Sequence, residues 1–133
     1  MSLSNLDPSD NFLQVETKLD AVIDELNNNR FIKYSVINIG DWDMDTDQFT
    51  GSIAHGISDH TKIRSIDIMI RDDSWLILTP LDIFVIAGFT GGGVQGLSST
   101  NIVLGRVTAG YYDSTTYDAT SFNRGFITIG YIE

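Results

Sequence analysis

Phe12, Val15, Leu19, Val22 and Leu26 recur at intervals of three, four, three and four residues, a spacing that lines all five side chains along one seam of an α-helix. Asp7 and Pro8 precede them as an N-cap and a first-turn proline, and Asp10 adds negative charge where the helix dipole favours it. The expected helix runs from Asp7 to about Asn28, where Asn27, Asn28 and Asn29 end it. Such a helix is marginal alone in water, because nucleation is costly and the seam would stay wet. The seam must be covered, either by its own domain or by sister chains in a short parallel coiled coil. With Phe12, Leu19 and Leu26 at a and Val15 and Val22 at d, the β-branched residues sit in the reverse of the dimer arrangement, which points to three or more strands rather than two.

From Arg30 onward the period changes from helical to alternating or continuously apolar, with Gly, Asp, Asn, Ser and Thr clusters as punctuation. Expected strands cover 31–39, 49–55, 63–71, 75–78, 83–89, 101–107 and 125–132. The clearest has Ile66, Ile68 and Ile70 alternating with Asp67 and Met69. Asp72, Asp73 and Ser74 read as a hairpin turn, and the glycines at 88, 91, 92, 93 and 96 as a mobile surface loop. No second helix long enough for a parallel crossover follows. The fold class expected is therefore mainly β: an antiparallel β-sandwich, jelly-roll-like, preceded by a short N-terminal α-helix or coiled coil. Residues 1–29 form an attachment and oligomerisation segment, and residues 30–133 the sandwich domain.

Eighteen acidic against eight basic residues give a formal charge of −10, which repels a phosphate backbone and argues against nucleic acid and anionic membranes as partners. No apolar run reaches the ~20 residues of a bilayer span, and the N-terminus lacks the pattern of a secretory signal. A soluble protein without membrane insertion is expected. The chain has no cysteine, so disulfides, thiolate nucleophiles and cysteine-based zinc sites are excluded and stability must come from packing or association.

Asp41, Asp43, Asp45 and Asp47 resemble a calcium loop only superficially, since Thr46 and Ser52 stand where glycine and glutamate belong. A solvated acidic edge or loop is the first reading, an irregular oxygen-only calcium site the second. His55 and His60 are spaced for neither a strand face nor a helical metal pair, so a turn is expected there, and neither metal nor other cofactor is assigned. Tyr111, Tyr112, Asp113, Tyr117, Asp118, Asn123 and Arg124 combine aromatic faces with fixed polar groups, as a sugar-binding surface requires. The alternative is a long connecting loop pinned by Asp and Arg pairs. The glycine stretch lacks a phosphate-loop arrangement, no GxSxG elbow occurs, and no acid–base pair is marked by an apolar pocket. An enzyme is not expected.

The strings Ile39-Gly40-Asp41-Trp42-Asp43-Met44-Asp45, Ala54-His55-Gly56-Ile57, Lys62-Ile63-Arg64-Ser65 and Ile70-Arg71-Asp72-Asp73 resemble small β-sandwich proteins of tailed bacteriophage virions. Tyr111-Tyr112-Asp113-Ser114, Tyr117-Asp118 and Asn123-Arg124-Gly125-Phe126-Ile127 extend the similarity over roughly residues 36 to 133. The chain is similar to head-fibre or tail-fibre proteins, including those of crAss-like phages, and more loosely to trimeric H-type lectins. The resemblance implies a virion structural protein assembled in the host cytoplasm. It further implies a homotrimer, docked on another virion protein through residues 1 to 11, with its sandwich projecting for host attachment. A lectin-like module binding a host surface glycan is the alternative that it implies.

Overall fold

A computed structural model describes residues 11–29, 32–82, 85–86 and 89–133. It is mainly β, and the described residues form one α-helix, α1 (Phe12–Asn29), and nine strands: β1 (Lys33–Asn38), β2 (Ile53–Ala54), β3 (Ile63–Arg71), β4 (Leu78–Pro80), β5 (Val85–Ile86), β6 (Phe89–Thr90), β7 (Gly92–Leu97), β8 (Asn101–Arg106) and β9 (Gly125–Tyr131). One antiparallel sheet has the order β1-β9-β3-β4 and a second the order β2-β8-β7, while β5 and β6 form a separate short hairpin.

The helix starts at Phe12, five residues after the expected cap. Asn11 and Gln14 explain the difference: the Asn11 side chain accepts from the Gln14 N–H at 3.0 Å, and the Gln14 side chain accepts from the Asn11 N–H at 2.8 Å. This reciprocal capping box uses amides at both positions. Asp7, Pro8 and Asp10, and the N-terminal docking segment apart from Asn11, lie outside the described residues.

Period two is obeyed best in the central strands. Ile68 and Ile70 of β3, Ile127 and Ile129 of β9, and Ile102 and Leu104 of β8 point inward and join Trp42, Met44, Leu81, Tyr112 and Tyr117 in one buried cluster. Each fully buried isoleucine or leucine contributes roughly 1.5–3 kcal/mol relative to exposure. Across the central pair of the four-stranded sheet, Ile68 faces Ile127 and Ile66 faces Ile129, so two adjacent alternating runs line one face of that sheet.

Three expected elements differ. The glycine stretch is in part strand β7, paired with β8 from Gly92↔Arg106 to Leu97↔Ile102. A side chain at Gly92 would strike the Gly105 carbonyl and approach Arg106 Cα and Leu81 Cδ1 to 2.9 Å each, so glycine here permits close backbone approach rather than mobility. Residues 83–89 are not one strand, because Val85 pairs with Thr90 and Ile86 with Phe89, folding the segment back on itself. Residues 75–77 form an exposed turn and β4 begins only at Leu78. Asp72 causes this by spanning the loop: its N–H donates to the Ile77 carbonyl at 3.2 Å and its carboxylate accepts from the Ile77 N–H at 3.1 Å. Of the expected strand 49–55, only a bridge from Phe49 to Gly105 and the two residues of β2 form.

Candidate functional site

Two buried arginines organise one end of the domain. Arg124, with no exposed surface, donates from Nε to the Trp42 carbonyl at 2.9 Å, from Nη1 to the Arg71 carbonyl at 3.0 Å and Asp73 Oδ1 at 2.7 Å, and from Nη2 to the Ala119 carbonyl at 3.0 Å. Arg106 donates from Nε to the Met44 carbonyl at 2.5 Å and from Nη2 to the Asp45 carbonyl at 3.1 Å, and its Nη1 pairs with Asp113 Oδ2 at 2.9 Å. A planar guanidinium can satisfy divergent carbonyls in this way, whereas an ammonium cannot.

The acidic segment 41–47 is therefore a pinned loop. Its main-chain carbonyls point inward to the two arginines, and Asp43 Oδ1 closes a local turn by accepting from Asp45 N at 3.0 Å and Thr46 N at 3.2 Å. Trp42 and Met44 are buried, and the Trp42 indole donates to the Asp47 carbonyl at 2.9 Å. Among the described residues no three His, Asp or Glu side chains gather as a metal site. His55 is buried with both ring nitrogens engaged: Nδ1 accepts from the Ile57 N–H at 3.0 Å, which assigns the proton to Nε2, 3.1 Å from the Ser98 carbonyl. His60 sits in a short 3₁₀ turn that Asp59 caps.

The residues read as a ligand surface divide sharply. Tyr112 and Tyr117 are buried, the Tyr112 hydroxyl donating to the Pro80 carbonyl at 2.7 Å, and desolvation pushes both phenols above the ordinary tyrosine value. Arg124 is buried with them, stacked 4.7 Å from the Phe122 ring centroid. Tyr111, Asp113 and Asn123 are half-buried, Asn123 accepting from the Gly40 N–H at 2.9 Å, which leaves Asp118 as the one fully exposed member. These residues therefore pin the loop through the Asp113–Arg106 and Asp73–Arg124 pairs, and the buried tyrosines offer no stacking face.

This end also exposes an apolar stretch. Trp75 is 60% exposed with φ at +65° and Leu76 is 85% exposed, and Ile77 and Leu78 follow them into solvent. The Phe122 ring meets the Trp75 indole edge-on at 5.2 Å, and the Arg71 guanidinium lies 4.2 Å from the indole centroid and 4.9 Å from that of Phe126. A bulky residue at positive φ is held only when its surroundings over-determine it. Here the Asp72 clamp and the flanking rings do so. The sequence signal for this feature is four apolar residues in a row directly after a turn motif, without the alternation of a half-buried strand.

The clamp's carboxylates are sensitive to acid. Asp72 is held below the ordinary carboxylate value first by the Ser74 hydroxyl, partial desolvation opposing, and then by the Ile77 N–H. Desolvation raises Asp73, but the hydrogen bond from Arg124, the Ala119 N–H and the Arg124 charge outweigh it and hold Asp73 low. Asp118 shifts the other way, raised chiefly by Asp73 beside it. Depressed values mean that Asp72 and Asp73 stabilise the fold fully above about pH 4 and lose that contribution as pH falls through their native values, while Asp118 acts in the opposite direction. The urea midpoint should drop between about pH 4 and pH 2, and the drop should shrink in Asp73→Asn. An unchanged acid limb in that variant would count against the assignment.

Away from this end, a cavity of about 340 Å³ lies beside Ile57, Asp59, Lys62 and Tyr131, and Asp59 in it already accepts from the Thr61 N–H and hydroxyl. The second uncovered apolar surface is α1. None of its apolar side chains is buried: Phe12 is 81% exposed, Leu19 and Leu26 are also exposed, and Val15 and Val22 are half-buried. Among the described residues no strand packs extensively against the helix. No family model matches the chain, and neither does any curated protein or solved structure compared with it.

Proposed function

We propose that this chain is a non-enzymatic structural protein of a tailed-phage virion, a head or tail fibre. In this reading three copies associate through α1, and the two sheets, stacked as a jelly-roll-like sandwich, project from the particle. The observation that carries self-association is the seam itself: Phe12, Val15, Leu19, Val22 and Leu26 keep coiled-coil spacing, and among the described residues nothing buries them, Phe12, Leu19 and Leu26 being exposed and Val15 and Val22 half-buried. The register adds a polarity. β1 enters beside Tyr131 and Ile63, whereas the Arg124 hub and the Trp75 turn lie where β9 and β3 meet at Gly125 and Ile70. A helix that gathers copies at the first end therefore leaves the pinned, apolar turn at the far end, some 20 Å away at about 3.3 Å per strand residue. Avidity from several copies is the gain such a layout offers a weak contact.

Non-catalytic use agrees with the bonding of the polar groups, since His55, Tyr112, Asp72 and Asp73 all hold the backbone in place. The virion setting rests on the resemblance across residues 36 to 133. The lectin-like alternative loses its aromatic platform, because Tyr112 and Tyr117 face the core.

Sedimentation equilibrium tests the reading. The parent chain at micromolar concentration should show three times the 14.7 kDa of one chain, and Leu19→Asp with Leu26→Asp should reduce it to a single chain with the β signal in far-UV circular dichroism intact. A parent that sediments as a monomer sinks the proposal.

A further inference from the structure

We infer that the outer face of β1, carried by Ile32, Tyr34 and Val36, is a second contact between copies of this chain. The inference rests on the proposed self-association through α1 and adds to it, because the helix alone is too small to hold the assembly. Five seam side chains of this size can bury roughly 300–500 Å² per copy, against the ~800 Å² per partner of a standard stable interface. Further apolar surface must join the contact.

Chain continuity points to β1. Ile32 lies three residues beyond the last residue of α1, Asn29, and three extended residues reach at most about 11 Å. Bringing the helix ends together therefore gathers one β1 from each copy around them. On that strand Tyr34 and Val36 alternate with Ile37, which packs against the core, and remain 65% and 64% exposed, although they sit in regular sheet structure. Their partners on β9 give no cover, since Tyr34 faces Gly130 and Val36 faces Thr128. A side chain at Gly130 would strike Ser65 Oγ and meet Tyr34 Cε1 and Ile32 Cγ2, each at 3.1 Å, so Ile32 and Tyr34 lean over the glycine and form one apolar surface.

Charge selects the occupant. Two chains of −10 each repel one another, so copies meet most readily where exposed acidic groups are few. None occurs from 32 to 40 or from 125 to 132, the stretches that make β1 and β9, and exposed Asp67 on β3 marks the edge of the patch. A second copy with the same neutral face fits this surface.

The absence of native cysteine makes single-cysteine labelling a direct test. Val36→Cys, Leu19→Cys and the exposed hairpin control Ser99→Cys would each be reacted with a maleimide in the assembled full chain, and the first and third also in the Leu19→Asp, Leu26→Asp background. The expected result is that V36C reacts at least about tenfold more slowly than S99C when assembled, and equally fast once the helix is disrupted. If V36C reacts as fast as S99C while L19C is protected, the face is free and this inference fails, though the helix reading stands. If neither V36C nor L19C is protected, both fail. Protection of V36C that persists in the disrupted background comes from within one chain and also overturns the inference.

Discussion

Arg124→Met is expected to destabilise the fold by about 3–5 kcal/mol, the range seen when one partner of a buried ionic hydrogen-bond set is removed. Methionine fills much of the arginine's volume and leaves the carbonyls of Trp42, Arg71 and Ala119 without their donor, with Asp73 short of its counter-charge. Unsatisfied buried acceptors lose their desolvation energy outright. Against a typical total of 5–15 kcal/mol, this is a large fraction of the stability. The melting temperature should fall by roughly 10–20 °C for a chain of this size. Arg124→Lys should rescue little, because one ammonium cannot reach four acceptors spread over three segments. Asp73→Asn should cost less, since Asp73 is partly exposed and its amide replacement still accepts from Arg124. Chemical denaturation of the three variants decides it, and an Arg124→Lys variant within 1 kcal/mol of the parent would show that the fan of hydrogen bonds contributes little.

The reason for so large an expected effect is also the reason why the far end is rigid. Arg124 ties the acidic loop to the end of β3 and to the 114–119 loop. Asp73 binds the same loops from the other side, accepting from the Asp118 and Ala119 N–H groups at 3.1 Å each. The Trp75 turn stands directly on this junction. A contact surface presented by a fixed junction loses less entropy on binding than one on a free loop, which suits a turn that leaves Trp75, Leu76 and Ile77 in solvent.

Strands with a strong period were legible in the sequence. The isoleucines of 63–71 gave β3 with its observed ends, and 101–107 and 125–132 came within one residue of β8 and β9. The helix was legible from its seam, but its start was not, because Asp7-Pro8 offers a better-known start signal than the Asn11–Gln14 box that closes on it. Two failures have a common cause. Trp75 to Leu78 is apolar enough for a strand and residues 91 to 96 are glycine-rich enough for a loop, yet composition does not register the clamp from Asp72 or the close approach of β8. At the candidate site, pinning by Asp and Arg pairs could be read from composition. The burial of Tyr112 and Tyr117 could not, because hydroxyl-bearing aromatics suit a core and a binding face equally well.

Gly125→Ala should be nearly as damaging as loss of Arg124, although it adds one methyl group. Gly125 opens β9 at φ +154°, in a region that side chains rarely adopt, and a Cβ there would strike the Met69 carbonyl oxygen, with Met69 C at 3.0 Å and Ile70 Cα at 3.2 Å. All three are backbone atoms of β3, so no rotamer change relieves the clash. Two costs add. Backbone strain of about 1–3 kcal/mol joins about 1–3 kcal/mol of overpacking, and the methyl group acts where β9 is held on both sides: Ile70 faces Gly125 in the ladder, and the Ile39 N–H donates to the Gly125 carbonyl at 3.0 Å. Forcing β9 away from β3 also shifts Arg124, the preceding residue, out of its acceptors. A loss of about 2–6 kcal/mol is expected in urea unfolding. Gly51→Ala is the matched control, since its Cβ would meet nothing within 4 Å and its φ lies outside the glycine region; it should change stability by no more than about 0.5 kcal/mol. Equal unfolding midpoints for the two variants would mean that β3 and β9 can separate at this point without cost, and the junction would then not be the rigid base from which the Trp75 turn projects.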